Sequence, residues 1–327
     1  MIRPHPRPAP ARPALFRAGL AALAALGLAG CIDAGMVENP SPPALAPMLP
    51  LPEPAPVPVS AASAEMRSYF ALVAQQLRSQ GLLRTEIAPR DAPFSARQLA
   101  DNFVRIALYD EYYTRGGAIV ARQSVSRLRR WEAPVRMSIE FGASVPLAQR
   151  NADRATIGTT AARIGRASGH PVTLSEASPN FTVMVLNETE RRNIGPRLTA
   201  LVPGIDPAAV RAVTALPPTT FCVVFAFSEG DSSTYTRAVA VIRGEHPDIL
   251  RQSCFHEELA QGMGLANDSH AARPSIFNDD EEFALLTRHD ELLLRILYDP
   301  RLTPGMTEAE ARPLINTIAA ALVGGQS

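Results

Sequence analysis

The stretch Cys254-Phe255-His256-Glu257-Glu258-Leu259-Ala260-Gln261-Gly262-Met263-Gly264-Leu265-Ala266-Asn267-Asp268 constrains the fold more than any other part of this chain. Its spacing reads as the end of a helix followed by a glycine-marked exit. Glu257 and Gln261 stand four apart on one helix face, with Glu258 beside them. The same stripe begins apolar, at Leu250 and Cys254. A face that starts buried and then presents a carboxylate and an amide brings polar groups toward the interior. There they need partners, a metal or a chemical task.

Upstream, the chain alternates helical and strand patterns. Ala64 to Ser79 has helical spacing and Gly81 ends it. Ser95 is a good N-cap for a helix carrying Leu99, Phe103 and Ile106. Tyr109, Tyr112 and Tyr113 form a cluster, read as buried tyrosines or a cleft wall. Ala118 to Val125 fits an edge strand, and Pro134 to Phe141 alternates with period two. Asp153 to Ser168 reads as a helix closed by Gly169. Phe181 to Leu186 and Ala238 to Ile242 read as strands, and Glu188 to Leu201 and Pro207 to Leu216 as short surface helices. The nearly continuous apolar run Phe221 to Phe227 predicts a central strand buried on both faces. The polar segment Ser228 to Thr234 is a turn between strands. Pro247 and Asp248 suit the first turn of the helix that ends near Met263. A helix around Asp290 to Leu297 and a last one from Thr307, with its capping box, to Leu322 close the chain. This order predicts an α+β domain with a mixed sheet of about four to five strands, a central helix and a helical C-terminal part.

The N-terminus reads as a targeting segment. Arg3, Arg7, Arg12 and Arg17 form a basic region, and Leu20 to Leu28 a short apolar one. It is too short to span a bilayer. It ends Leu28-Ala29-Gly30-Cys31, which resembles the lipobox of bacterial lipoproteins. The expected organisation is a signal peptide over 1–30, a lipidated Cys31 with a Pro-rich linker over 31–60, and one domain over 61–327. An acylated Cys31 anchors the chain to a lipid membrane, since each buried CH₂ contributes about 0.8 kcal/mol. Ile32 after the cysteine favours the outer membrane of a bacterial envelope, facing the periplasm. Formal net charge is +0, which gives no reason to expect nucleic acid as a partner. Of the three cysteines, Cys222 and Cys254 remain after Cys31. In an oxidising compartment they suggest a disulfide, with two buried thiols as the alternative.

The motif Glu257-Glu258-x-x-Gln261-x-x-Gly264-x-x-Asn267 has the spacing of the metzincin signature His-Glu-x-x-His-x-x-Gly-x-x-His and resembles it. The resemblance implies a zincin-like domain in which Glu258 matches the general base and Gly264 the turning glycine. The ligand positions hold Glu257, Gln261 and Asn267, with Asp268 adjacent. His256 does not restore the pattern, because its i+4 position is Ala260. Ser275-Ile276-Phe277-Asn278 resembles the tight turn beneath a metzincin metal site, with Phe277 where methionine usually stands. More closely, Phe103 to Tyr112, Arg130 to Arg136, and the tracts Cys254 to Asp279, His289-Asp290 and Tyr298 to Leu302 resemble domain of unknown function 2927, a family of bacterial lipoproteins. That family implies no established reaction.

Three functions fit these residues. A degenerate zincin would use its cleft, with His256, Gln261, Gly264, Asn267 and Asp268, to bind a peptide, a glycan or an envelope protein. This is the leading expectation, since Gln and Asn are poor zinc ligands. A hydrolase would use Glu258 and Glu257 as a carboxylate pair, or hold a divalent cation through Glu257, Gln261 and Asp268. A purely structural reading has the acids satisfy backbone donors and arginines. His270 reads as a solvent-facing loop residue, His289-Asp290 as a helix cap, and Asp279 to Glu282 as an exposed acidic loop or helix start. No Gly-x-Ser-x-Gly elbow or dinucleotide glycine motif is present.

Overall fold

Ser60 and Ser95 start the first two helices by capping them. Ser60 accepts from the Ser63 amide at 3.2 Å, and Ser95 forms a reciprocal capping box with Gln98. The computed structural model describes residues 57–115 and 118–325, with side chains left out over 110–123. The segment expected as a signal peptide, Cys31 and most of the expected linker lie outside the described residues. In chain order the elements are α1 (Ala61–Ser79), α2 (Ala96–Ala107), β1 (Tyr109–Arg115), β2 (Ala118–Val125), β3 (Arg130–Trp131), β4 (Val135–Phe141), α3 (Leu147–Ser168), β5 (Val172–Leu174) and β6 (Phe181–Leu186). They continue with α4 (Glu188–Arg192), α5 (Gly195–Leu201), α6 (Pro207–Thr214), β7 (Cys222–Ser228), β8 (Thr234–Arg243), α7 (Asp248–Gln261), α8 (Arg288–Leu297) and α9 (Glu308–Gly324). Among the described residues no helix is long and apolar enough to cross a membrane.

The molecule is α+β, with a mostly parallel sheet. Strands β5, β4, β6 and β8 run parallel in that order, β3 adds two residues beside the start of β8, and β7 pairs antiparallel with β8. Period-two alternation sorts the side chains of β6 and β8. Val183, Val185, Ala238, Ala240 and Ile242 join the main core, with Cys254, Phe255 and Leu259 of α7 and with residues of α2, α3, α8 and α9. Met184, Leu186, Val239 and Val241 face the other way and join Leu198, Val202 and Val213 around α5 and α6.

Several sequence expectations need correcting. The apolar run at β7 is not a central strand. Among the described residues it has one strand partner, β8, and its residues after Cys222 are half-buried. The run is continuous because Val224 and Ala226 pack toward the main core while Val223, Phe225 and Phe227 pack toward the α5–α6 side. Apolar cover on both faces does not require a neighbour on both edges. The helix expected over Glu188 to Leu201 is split into α4 and α5, with Gly195 and Pro196 opening the second. Helix α3 begins earlier than expected, behind Pro146. Tyr109 opens a strand, and β2, the expected edge strand, pairs with β1 in a separate two-stranded hairpin. The Tyr109 hydroxyl donates to Glu308 at 3.2 Å, while the side chains of Tyr112 and Tyr113 lie outside the described set.

Candidate functional site

Helix α7 reaches the site because β8 delivers it there and α3 holds it. Arg251, buried at 4 % exposure, donates to Asp153 of α3 at 2.6 Å and to Asp248 at 2.8 Å. One turn on, Cys254 is bonded to Cys222, the first residue of β7, with Cα atoms 5.9 Å apart. The bond spans 32 residues, and closing a loop of that size restricts the unfolded chain by about 3 to 4 kcal/mol. The expected disulfide is therefore present, and it ties the edge strand to the helix.

Glu257 and Glu258 follow on the same helix face. Glu257 is half-buried and Glu258 buried. One ligand-type atom each of Cys222, Glu257 and Glu258 lies within 4.8 Å of the other two. His256 points elsewhere. Its ring is buried, and Nδ1 accepts the Leu286 amide at 3.2 Å. Burial pushes its pKa down to about 4, with the Arg163 charge adding to the effect and Asp290 opposing it. It is a neutral core imidazole.

The exit from α7 is held by backbone contacts. Gly264 has a φ of +125°, and a Cβ there would lie 2.3 Å from the Arg129 carbonyl oxygen. A left-handed turn and a close backbone approach both require glycine. The helix-end carbonyls are satisfied from outside. The Trp131 indole donates to Gly262 at 2.8 Å and the Tyr298 hydroxyl to Met263 at 2.9 Å. Trp131 and Tyr298 stood in the sequence as conspicuous residues without a role. Their signal was that one is the sole tryptophan and both belong to family-like tracts.

Beyond Gly264 the motif positions diverge. The Gln261 amide donates to Asp268 at 3.3 Å, and both are half-buried. Asn267 is buried at 1 % exposure, and its side-chain amide donates to the Arg105 carbonyl at 2.7 Å. Its backbone amide donates to Ile106 at 3.1 Å. Glu257, Glu258, Gln261 and Asp268 thus lie along one end of α7, while His256 and Asn267 serve the interior. The zinc implied by the metzincin resemblance does not fit this set. No imidazole stands on the helix face, and the third ligand position is committed to α2.

The 3₁₀ turn Ile276–Asn278 lies against α7, with Phe277 fully buried. Asp290 holds it there. Its carboxylate accepts from Ser275 Oγ at 2.5 Å, the Ile276 amide at 3.2 Å and the Thr287 amide at 2.7 Å. Asp290 is thus the third helical residue of a capping box on Thr287, and the cap is Thr287 rather than His289. His289 is buried against Asn102, 3.1 Å from its amide nitrogen. His270 is exposed, and its ring donates to Asn278 at 3.1 Å. The acidic run is a turn rather than a helix start, with Asp279 and Glu281 both left-handed. Glu282 pairs with Arg84 and Arg273 at 3.0 and 2.7 Å. A separate cavity of about 380 Å³ sits at the opposite, N-terminal end of α7, lined by Arg67, Gln149, Glu245, His246, Asp248 and Arg251 among others.

A family model described as "Protein of unknown function (DUF2927)" matches residues 96–317 of the chain. No curated protein and no solved structure matches it.

Proposed function

From the premise that the chain belongs to the DUF2927 family, we propose that it is a cell-envelope lipoprotein whose domain is a degenerate, zincin-like fold. In this reading α7 and β7 form a non-catalytic binding cleft. The zincin-like assignment is supported by the parallel strands that precede α7, by the glycine turn at Gly264 and by the 3₁₀ turn packed beneath the helix. The anchoring rests on the lipobox-like Leu28 to Cys31 and the Pro-rich spacer behind it.

The observation that carries the non-catalytic reading is the Asn267 side chain bound to Arg105. The position that would supply a third metal ligand is part of the helix exit, and the two preceding positions hold an acid and an amide. What remains at this end of α7 is a polar strip beside a sheet edge. Among the described residues β7 pairs with no strand other than β8. An extended peptide segment is the ligand such an edge takes, by adding to β7 while its side chains meet Glu257 and Gln261.

The test uses the full-length chain with its disulfide intact. Elemental analysis should find no stoichiometric zinc, and one tightly bound equivalent would overturn the reading. Selection from a random peptide library should return extended binders whose affinity drops at least tenfold in Glu257→Ala and Gln261→Ala. Binding unchanged by both substitutions counts against the cleft. Hydrolysis of such peptides, lost in Glu258→Gln at unchanged stability, would replace the binding module by a hydrolase.

A further inference from the structure

Cys254, Glu257 and Glu258 stand at i, i+3 and i+4 on α7, which places all three on one face. Cys222 meets that face from the first residue of β7. Ligand-type atoms of Cys222, Glu257 and Glu258 lie within 4.8 Å of one another, and the Cys254 sulfur is bonded to that of Cys222. Two sulfurs and two carboxylates converging from a helix and a strand match the donor set of a tetrahedral site for a borderline-soft dication such as Zn²⁺. None of the four is an imidazole, so the set differs from the one the helix motif implies.

The disulfide decides whether this set is available. A thiolate is a metal ligand, whereas a sulfur held in a disulfide has no such charge to offer. We propose that the Cys222–Cys254 bond is a redox lock on a metal site, and that reduction creates a centre of Cys222, Cys254, Glu257 and Glu258. A dithiol reductant supplies two electrons and two protons. Its own sulfurs end as a disulfide, and the protein gains two thiols. The cation then displaces both thiol protons to solvent and is held by two thiolates and two carboxylates. Zinc–sulfur bonds of about 2.3 Å at a tetrahedral angle set the sulfurs about 3.7 Å apart. Rotation about the two Cα–Cβ bonds can provide that separation from the present Cα spacing of 5.9 Å. This site goes beyond the non-catalytic reading, which concerns the oxidised protein.

The experiment takes the full-length chain in a Cys31→Ser background, so that Cys222 and Cys254 are the only sulfur pair that titrates with metal as thiolate. It is compared oxidised and after reduction by a phosphine that is then removed without air. Co²⁺ is titrated while the thiolate-to-cobalt charge-transfer absorption is followed, and Zn²⁺ then displaces it. The reduced protein should bind one equivalent with that absorption, and the oxidised protein none. Glu257→Gln and Glu258→Gln should each weaken the reduced site at least tenfold. A reduced protein without the absorption, or with an affinity indifferent to both substitutions, overturns the proposal. Cys254→Ser, which leaves Cys222 free of any bond, should bind Co²⁺ through one thiolate without reductant. If the reduced protein and this variant are both unfolded by circular dichroism, the bond is a staple the fold cannot lose, and the proposal fails. Metal held by the oxidised protein without the charge-transfer absorption would defeat the non-catalytic reading and leave the reduced thiolate site standing, so the two failures are distinguishable.

Discussion

The Asn267 side-chain amide donates to the Arg105 carbonyl at 2.7 Å, while the Asn267 backbone amide donates to the Ile106 carbonyl at 3.1 Å. Two bonds from one residue fasten the exit of α7 to the last turn of α2. Asn267→Ala removes the side-chain donor from a part-buried helix-end carbonyl. The expected loss is about 1 kcal/mol, the net worth of one hydrogen bond whose acceptor water can still reach. Urea unfolding measures it. An unchanged midpoint would mean that the Arg105 carbonyl finds another donor, and position 267 would again be open to a role in the cleft.

Gly264→Ala tests the turn itself. The new methyl would meet the Arg129 carbonyl oxygen at 2.3 Å, and the backbone sits at a φ of +125° that L side chains rarely adopt. Strain and overlap together predict a destabilisation of about 3 kcal/mol. The obstacle is backbone rather than the end of a flexible side chain, so relief requires β3 and the exit of α7 to move apart. A loss below 1 kcal/mol, on the scale of ordinary surface substitutions, would show that they can.

The turning glycine was legible in the sequence because its spacing and its residue type both report backbone geometry. The capping box at Thr307 was legible for the same local reasons, whereas the Cys222–Cys254 pair was suggested by cysteine count and compartment. Sheet position was not. Phe221 to Phe227 reads as central because hydrophobicity records burial of faces, whereas edge status depends on which strand lies alongside. The direction of His256 and Asn267 was hidden in a related way. Both fall within a polar motif, yet their side chains answer to Leu286 and Arg105, which are distant in sequence. The clasp formed by Trp131 and Tyr298 on the end of α7 spans more than a hundred residues and has no local pattern.

His256 makes the fold sensitive to acid. Burial holds its folded-state pKa down near 4, against about 6.5 in the unfolded chain. Below 6.5 the unfolded chain takes up a proton that the folded one refuses. The contribution of this group is therefore complete above pH 6.5 and is lost as pH falls toward 4. It amounts to about 3 kcal/mol at most. His256→Gln keeps an acceptor available for the Leu286 amide and does not titrate. Its stability should depend less on pH between 4 and 6.5, as read from unfolding midpoints. An undiminished slope would move the acid sensitivity to other groups, such as His246, which burial pushes down to about 3.

Glu281 acts in the opposite direction. Its carboxyl is pushed up to about 7, first by burial and then by the charges of Asp279 and Asp280. The folded chain thus retains a proton between about pH 4.5 and 7 that the unfolded chain has released. Stability falls as pH rises through that window and levels off above 7, by up to about 3 kcal/mol. Glu281→Gln leaves the left-handed backbone in place and removes the charge. The variant should match the parent at pH 4 and exceed it at pH 8. Because the histidine term climbs over part of the same range, the difference between variant and parent is the quantity to measure. A difference that does not vary with pH would mean that water reaches the carboxylate and that the acidic turn carries no proton of its own.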